Sequence, residues 1–456
     1  MLFRQHRCGM KNIDMTSGSI WRKLVAFSLP ILLGELFQQL YSTVDTLILG
    51  NFASATEMAA VGGTGNVINV LIGFFNGVSI GCTVVTARFY GAKDREKLTQ
   101  AVHTIVLLSV ALGVLLSVVG ILITKPVLSL LDLSDTVMPY AVTYVRIYFA
   151  GLLGVILYNI VTGILRAVGN VRLPLIALVL SAVLNVILDL LFVIRLKKGV
   201  AGVAIATAFS QAIAALMCFV ILNLNKADYR FRLRGTKFSF AIVGQVLAVG
   251  VPIGIQKMLT SLSNVLVLSY ITPFGDASLA GWVVYTKVSR FVILGLQSIG
   301  SSVTTFVSQN LGAGRYDRVW RGVRIGLLES VILTVSLSLL IVLFRRPIAM
   351  LFGHDEQMLV YAEIYLVTVV PLLILHVPHS LLSAALRSLK RAGTATMLMI
   401  TGLVVVRQIY LMLITKLINT PQIVSLSFPV GWVASGSMLL LCYLLVIRKL
   451  FRNPPI

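Results

Sequence analysis

The run SLPILLGELFQQLYSTVDTLIL, residues 28–49, is apolar enough to cross a membrane, yet it carries Pro30, Glu35 and Asp45. As a helix its 22 residues rise about 33 Å, enough for roughly 30 Å of hydrocarbon. It has a counterpart in GVPIGIQKMLTSLSNVLVLSYI, residues 250–271, where Pro252 falls on Pro30 at an offset of 222. GAKDREKLTQAV from Gly91 matches GAGRYDRVWRGV from Gly312 at an offset of 221. ILRAVGN ending at Asn170 meets ALRSLKR ending at Arg391, again at 221. One spacing held across three separated segments means an internal duplication.

Composition agrees with a membrane chain. Of 456 residues, 58% are hydrophobic and 12% charged, with mean hydropathy +0.96, a balance that excludes an ordinary soluble domain. Twelve apolar stretches are long enough to span: 24–49, 59–86, 100–123, 140–164, 173–194, 200–222, 241–270, 279–307, 323–344, 361–385, 395–416 and 429–447. The stretch 279–307 is long enough to hide a break. The expected fold is an all-α membrane protein with six helices in each of two lobes. Because six is even, both copies enter the membrane in the same direction. A pseudo-two-fold axis along the membrane normal then relates them, as in parallel-repeat transporters. The expected divisions are an N-terminal cytoplasmic segment 1–23, an N-lobe 24–225, a basic linker 226–240, a C-lobe 241–447 and a tail 448–456.

The net charge of +22 is distributed by loop and not gathered in a patch, which argues against nucleic acid as a partner. With the N-terminus inside, and counting Arg324 and Lys416 at span ends, cytoplasmic segments hold 26 Lys and Arg and the outer loops seven. The positive-inside rule therefore expects both termini in the cytoplasm. The first apolar run is too long for a signal-peptide core, so no cleavable leader is expected. Cys8, Cys82, Cys218 and Cys442 are scattered and suggest neither a disulfide framework nor a metal cluster.

Few carboxylates lie inside the spans: Glu35, Asp45, Asp189 and Glu329, with Glu363 near an outer end. Each is costly in lipid, about 2.5–3.5 kcal/mol at a helix centre on insertion scales, and so marks a candidate site. In SAVLNVILDLLFV, residues 181–193, Asn185 and Asp189 are four apart and share a helix face. Counting at about 1.5 Å per residue, Asp45, Asp189 and Thr207 all lie roughly 6–12 Å beneath the outer boundary. Asp45, Asn185, Asp189 and Thr207 can therefore converge as a coupling site for H⁺ or Na⁺, and as Na⁺ ligands in the second case. Gln38 and Tyr41 join Glu35, Asp45 and Asp189 as candidate cavity contacts. Glu35 and Lys257 occupy equivalent positions, each five residues after its aligned proline, and are candidates either for an inter-lobe ion pair that gates one side or for separate water or backbone partners. Pro30 and Pro252 are the candidate hinges.

VDTLILGNF (44–52), VTARFYGAKD (85–94), RAVGN (166–170) and VSQNLGAG (307–314) resemble the multidrug and toxic compound extrusion family, MATE, over nearly the whole chain. The resemblance implies cation-coupled export of small, mostly cationic and amphipathic compounds by a monomer in the bacterial plasma membrane, with no cofactor beyond the coupling ion. It places Asp45 at the acidic position of the first helix. Asn185 and Asp189 match the Asn-x-x-x-Asp arrangement of the DinF-like branch, with Thr207 at its hydroxyl position. The NorM-like branch has carboxylates on helices seven and ten, where this chain has none.

Other readings are weaker. A lipid-linked precursor flippase of the same wider superfamily is the alternative, and would favour an Arg-rich cavity. An enzyme would need a convergent nucleophile and base or a metal triad, and neither is visible. Glu329 is expected to pair with Arg324 or to reach the inner face, and HVPH (376–379) to serve polar packing at a kink. Arg407 and Lys287 are possible lining of a C-lobe cavity. GGTGN (62–66) and NLGAGR (310–315) follow no strand, so the glycines point to close helix packing and turns instead of nucleotide binding.

Overall fold

The computed structural model describes residues 12–129, 133–224, 229–231 and 237–452. Cys8 and parts of the expected N-terminal segment, linker and C-terminal tail lie outside them. Among the described residues the regular structure is helical without a strand, and twelve stretches are long and apolar enough to span a membrane. Hydrocarbon offers no partner to a backbone amide, so each span satisfies its own ladder.

The first half contributes α1 (Ile20–Phe52), α2 (Ala55–Gly91), α3 (Arg95–Leu128), α4 (Met138–Ala167), α5 (Arg172–Asp189) and α6 (Gly199–Leu224). The second begins with α7 (Phe240–Ile271), α8 (Asp276–Gly312), α9 (Tyr316–Leu343) and a short α10 (Arg345–Met350). Its last three spans are each built from two helices: α11 (Glu356–Val369) with α12 (His376–Ser388), α13 (Ala392–Ile400) with α14 (Arg407–Ile414), and α15 (Pro421–Ser425) with α16 (Ser427–Arg452). No break occurs in the long eighth span, since α8 is continuous over 276–312. The interruption falls in the tenth span, where Pro371 lacks an amide proton and the chain runs as a 3-10 turn to Leu375. Pro30 and Pro252 lie inside α1 and α7, which run on through them.

Helix starts follow side-chain chemistry. Ser54 and Glu57 form a reciprocal capping box at α2, and Asp94 accepts the Lys97 amide at 3.0 Å to open α3. The turns before α3 and α9 are copies of each other. Each needs a left-handed residue, which is Gly314 (φ 68°) in one and Lys93 (φ 56°) in the other.

The two cores exchange one helix segment each. Leu24, Phe27 and Ile31 of α1 are buried with Val303, Phe306 and Leu381 in the C-lobe core. Reciprocally, Ile242 and Val246 of α7 are buried with Val78 and Val85 in the N-lobe core. Leu24 and Val246 are equivalent at the 222 offset. Close approach makes this possible. A Cβ at Gly81 would lie 2.4 Å from the Val246 carbonyl oxygen. At the equivalent place Ser302 donates to the Leu24 carbonyl at 3.2 Å. Gly91 and Gly312 form a second reciprocal pair, each packed on the other helix where a Cβ would meet a backbone oxygen, of Gln309 and Arg88 respectively.

Residues 12–19 form a strap across the near side, where the chain enters α1. The Ile13 amide donates to the Gly169 carbonyl at 2.9 Å, and the Met15 amide to Gln309 Oε1 at 3.0 Å. Asn310 and Arg318 return hydrogen bonds to the Met15 carbonyl at 3.0 and 3.2 Å. Gln309 also donates to the Ala167 carbonyl at 2.7 Å, so one amide joins strap, N-lobe and C-lobe. Lobe-to-lobe packing continues up to Gly73, which lies against the Lys257 side chain. Towards the far side, Gln38 on α1 and Lys287 and Arg290 on α8 are exposed polar side chains within membrane spans, and the open space they border is the cleft.

A candidate ion-exchange site in the N-lobe and the cleft beside it

Asp45 on α1 and Asp189 at the end of α5 face each other within hydrogen-bond reach. Asp189 is fully buried, and one oxygen of Asp45 and both of Asp189 have no other partner among the described residues. Two carboxylates this close in a water-poor place titrate as one unit. A proton shared between them, or a bound cation, relieves their mutual repulsion. Asn185, one turn before Asp189, is also buried with both amide atoms unpartnered. Thr207 is half-buried on α6 and lies one turn from Gln211, which donates to the Tyr41 hydroxyl at 3.2 Å. That face of α6 is therefore turned towards α1. Carboxylate, amide and hydroxyl oxygens are the donors that a hard cation takes.

Local sequence explains the setting. Immediately after Asp189 the helix widens into a π segment, Leu190–Arg195, which inserts a residue into the ladder beside the carboxylate. Ile48, Leu49, Val193 and Val203, each about one turn beyond Asp45, Asp189 or Thr207, form a small apolar cluster closing the far side of the site. Tyr144 and Tyr148 on α4 complete the wall, with Tyr144 close enough to feel both aspartates and Tyr41. Sequence reasoning missed these two tyrosines. The i, i+4 spacing was a usable signal, but on an apolar span it reads equally as packing.

Glu35 and Lys257 face one region of the cleft and act on each other across the lobes, but no ion pair joins them in this structure. The cation acting most strongly on Glu35 is Arg166 of its own lobe, followed by Lys257 and Arg290. Gln38 is exposed on α1 near Glu35. Glu329 is buried, with neither oxygen hydrogen-bonded among the described residues. Arg324, its expected partner, instead lies over Trp320 at 5.7 Å. The His376 and His379 rings lie tilted against each other with centroids 4.1 Å apart, beside Trp432, and no group of three His, Cys, Asp or Glu gathers among the described residues. Lys287 is exposed over Phe352.

The C-lobe heart has the opposite sign. Its eleventh span also carries a π segment, Thr401–Val406, followed at once by Arg407. Arg407 is buried, donating to Ser263 at 3.2 Å and Asn264 at 2.8 Å and lying 4.9 Å from the Phe428 ring.

Two six-span bundles around a cleft, with ionisable groups buried between helices, define the architecture of a secondary transporter. The MatE family model matches residues 30–191 and 252–413, one match to each copy of the repeat, and the chain belongs to that family. It is 29% identical over 352 residues to the probable multidrug resistance protein YoeA of Bacillus subtilis, covering 76% of each chain. It is 25% identical over 362 residues to the FAD transporter of Shewanella oneidensis, covering 77% of this chain and 78% of that one. The fold superposes on a MATE multidrug resistance transporter of the MOP superfamily solved facing outward, with TM-score 0.91 and 21% identity, covering 97% of this chain and 99% of the other. The protein is thus a multi-pass membrane transporter of the MatE family.

Proposed function

We propose that the protein is a cation-coupled antiporter that exports small amphipathic compounds, with Asp45 and Asp189 as the exchange site. The observation that carries this reading is the contact between a fully buried carboxylate, Asp189, and a half-buried one, Asp45, on different helices, with no cation of the chain beside them among the described residues. Their charge is open to competition. Protons or Na⁺ entering from the far side neutralise the pair and release a cationic cargo, and loss of the ion restores the charge that recruits the next molecule. A single charge moved through about 150 mV is worth ~3.5 kcal/mol, a gradient of roughly 300-fold, which is sufficient to drive export. The excess of Lys and Arg in alternate loops supports a near side, and both termini, in the cytoplasm of a bacterial plasma membrane. The relatives' names range from multidrug resistance to FAD transport, which supports a small-molecule cargo and leaves its charge to be read from the sites.

The test is efflux of ethidium from proteoliposomes, first under an imposed pH gradient and then under an imposed Na⁺ gradient. One gradient should drive efflux, and Asp45→Asn and Asp189→Asn should each abolish the coupling while the protein remains folded in the membrane. Efflux at the wild-type rate in both variants would end the proposal.

A further inference from the structure

The duplication contains its own control experiment. Glu35 and Lys257 are equivalent positions, and so are Arg166 and Arg387. In the first copy an arginine stands near a carboxylate. In the second the same place holds a lysine, so Lys257 and Arg387 act on each other as like charges, with Arg290 of α8 adding to the repulsion. The floor of the cleft thus holds four cationic side chains and one carboxylate.

These cations are not consumed by the protein. Arg166, Lys257 and Arg290 form no hydrogen bond or ion pair with the described residues. Arg387 donates to Gln256 Oε1 at 2.9 Å and to the Met399 sulfur, yet its Nε is buried without a partner. Arg290 is exposed on the cleft face of α8, and the other three are half-buried. Like charges crowded where water is scarce repel strongly, and a bound oxyanion converts that repulsion into several charge-assisted hydrogen bonds. Guanidinium groups are the donors best matched to the paired oxygens of phosphate or carboxylate.

We propose that Arg166, Lys257, Arg290 and Arg387 form an anion-binding subsite at the floor of the cleft, which takes the phosphate or carboxylate of an amphiphilic cargo. The molecule then carries two sites of opposite sign, an acidic one within the N-lobe and a basic one between the lobes. The inference narrows the cargo of the proposed exporter and rests on that reading only for the direction of movement.

The experiment uses the full chain in phosphatidylcholine nanodiscs, with carboxyfluorescein as the anionic probe read by fluorescence anisotropy. Saturable binding is expected, displaced by inorganic pyrophosphate. Lys257→Gln, Arg387→Gln and Arg290→Gln should each weaken it by about tenfold or more, the loss of one charged hydrogen bond. Arg387→Lys should keep part of the affinity. Arg290 is exposed, so its variant reports on binding even if loss of the Arg387 contact to Gln256 disturbs folding. Exchanging part of the phosphatidylcholine for phosphatidylglycerol separates the two sources. If probe binding falls, a lipid headgroup fills the subsite. If it persists, the occupant is a free solute, and both results support the site. Absence of saturable binding, or equal affinity in all three glutamine variants, overturns it. Binding is measured without a gradient. Loss of coupled ethidium efflux therefore bears on the exporter alone, and loss of probe binding on the subsite alone.

Discussion

At the residue scale, the acidic site was partly legible and the basic one was not. Asn185 and Asp189 stand out because polar groups four apart on a greasy helix have no cheap structural use, and Asp45 follows from the same cost. Arg166 and Arg387 look like ordinary inner-loop charges, because sequence records that they end a span and not that their side chains turn back to the cleft. Asp14 in the strap was also silent, as a polar residue in what reads as a tail. Burial tends to raise its carboxyl, but hydrogen bonds from Thr16 and Ser17, and nearby Lys23, outweigh burial and hold it below its ordinary value. A lowered native value means that ionised Asp14 stabilises the strap above the ordinary carboxylate pKa near 3.9, and that this support is lost as pH falls through the lower value. Amide-exchange protection of Thr16, whose N–H donates to the Asp14 carboxylate, should therefore drop below about pH 4. Asp14→Asn should remove that dependence, and protection unchanged by pH in the wild type would count against it.

At the element scale, length and hydropathy suffice to find twelve spans, since a membrane permits little else. Their interior irregularities are less visible. A π segment has no sequence mark of its own, and Leu190–Arg195 and Thr401–Val406 read as plain apolar helix. The glycines were legible only as a tendency to pack closely. Structure separates those that matter. At Gly81 a Cβ would press on backbone atoms of α7, whereas at Gly244 it would meet nothing within 4 Å. Gly81→Ala should lower stability by about 1–3 kcal/mol, the usual range for overpacking. Gly244→Ala should be neutral or stabilising by up to about 1 kcal/mol, because alanine loses less backbone freedom in a helix. Thermal unfolding of the purified variants in one detergent decides between equal and opposite shifts.

At the scale of the whole molecule, the 221–222 offset discloses two similar halves, and their parallel arrangement follows from an even number of spans. The offset cannot reveal that each half lends part of its first helix to the other, because Leu24 and Val246 are apolar wherever they pack. That loan has a bearing on biogenesis. A nascent chain that has inserted only α1 to α6 still has Leu24, Phe27 and Ile31 waiting for partners that the ribosome has not yet made. Maturation must then stall in a loose intermediate until α8 and α12 emerge. Severed into 1–225 and 226–456 and expressed separately, the halves should be degraded alone and rescued together, as read by their abundance in the membrane fraction. A first half that accumulates stably on its own would show that the swap forms late and matters little.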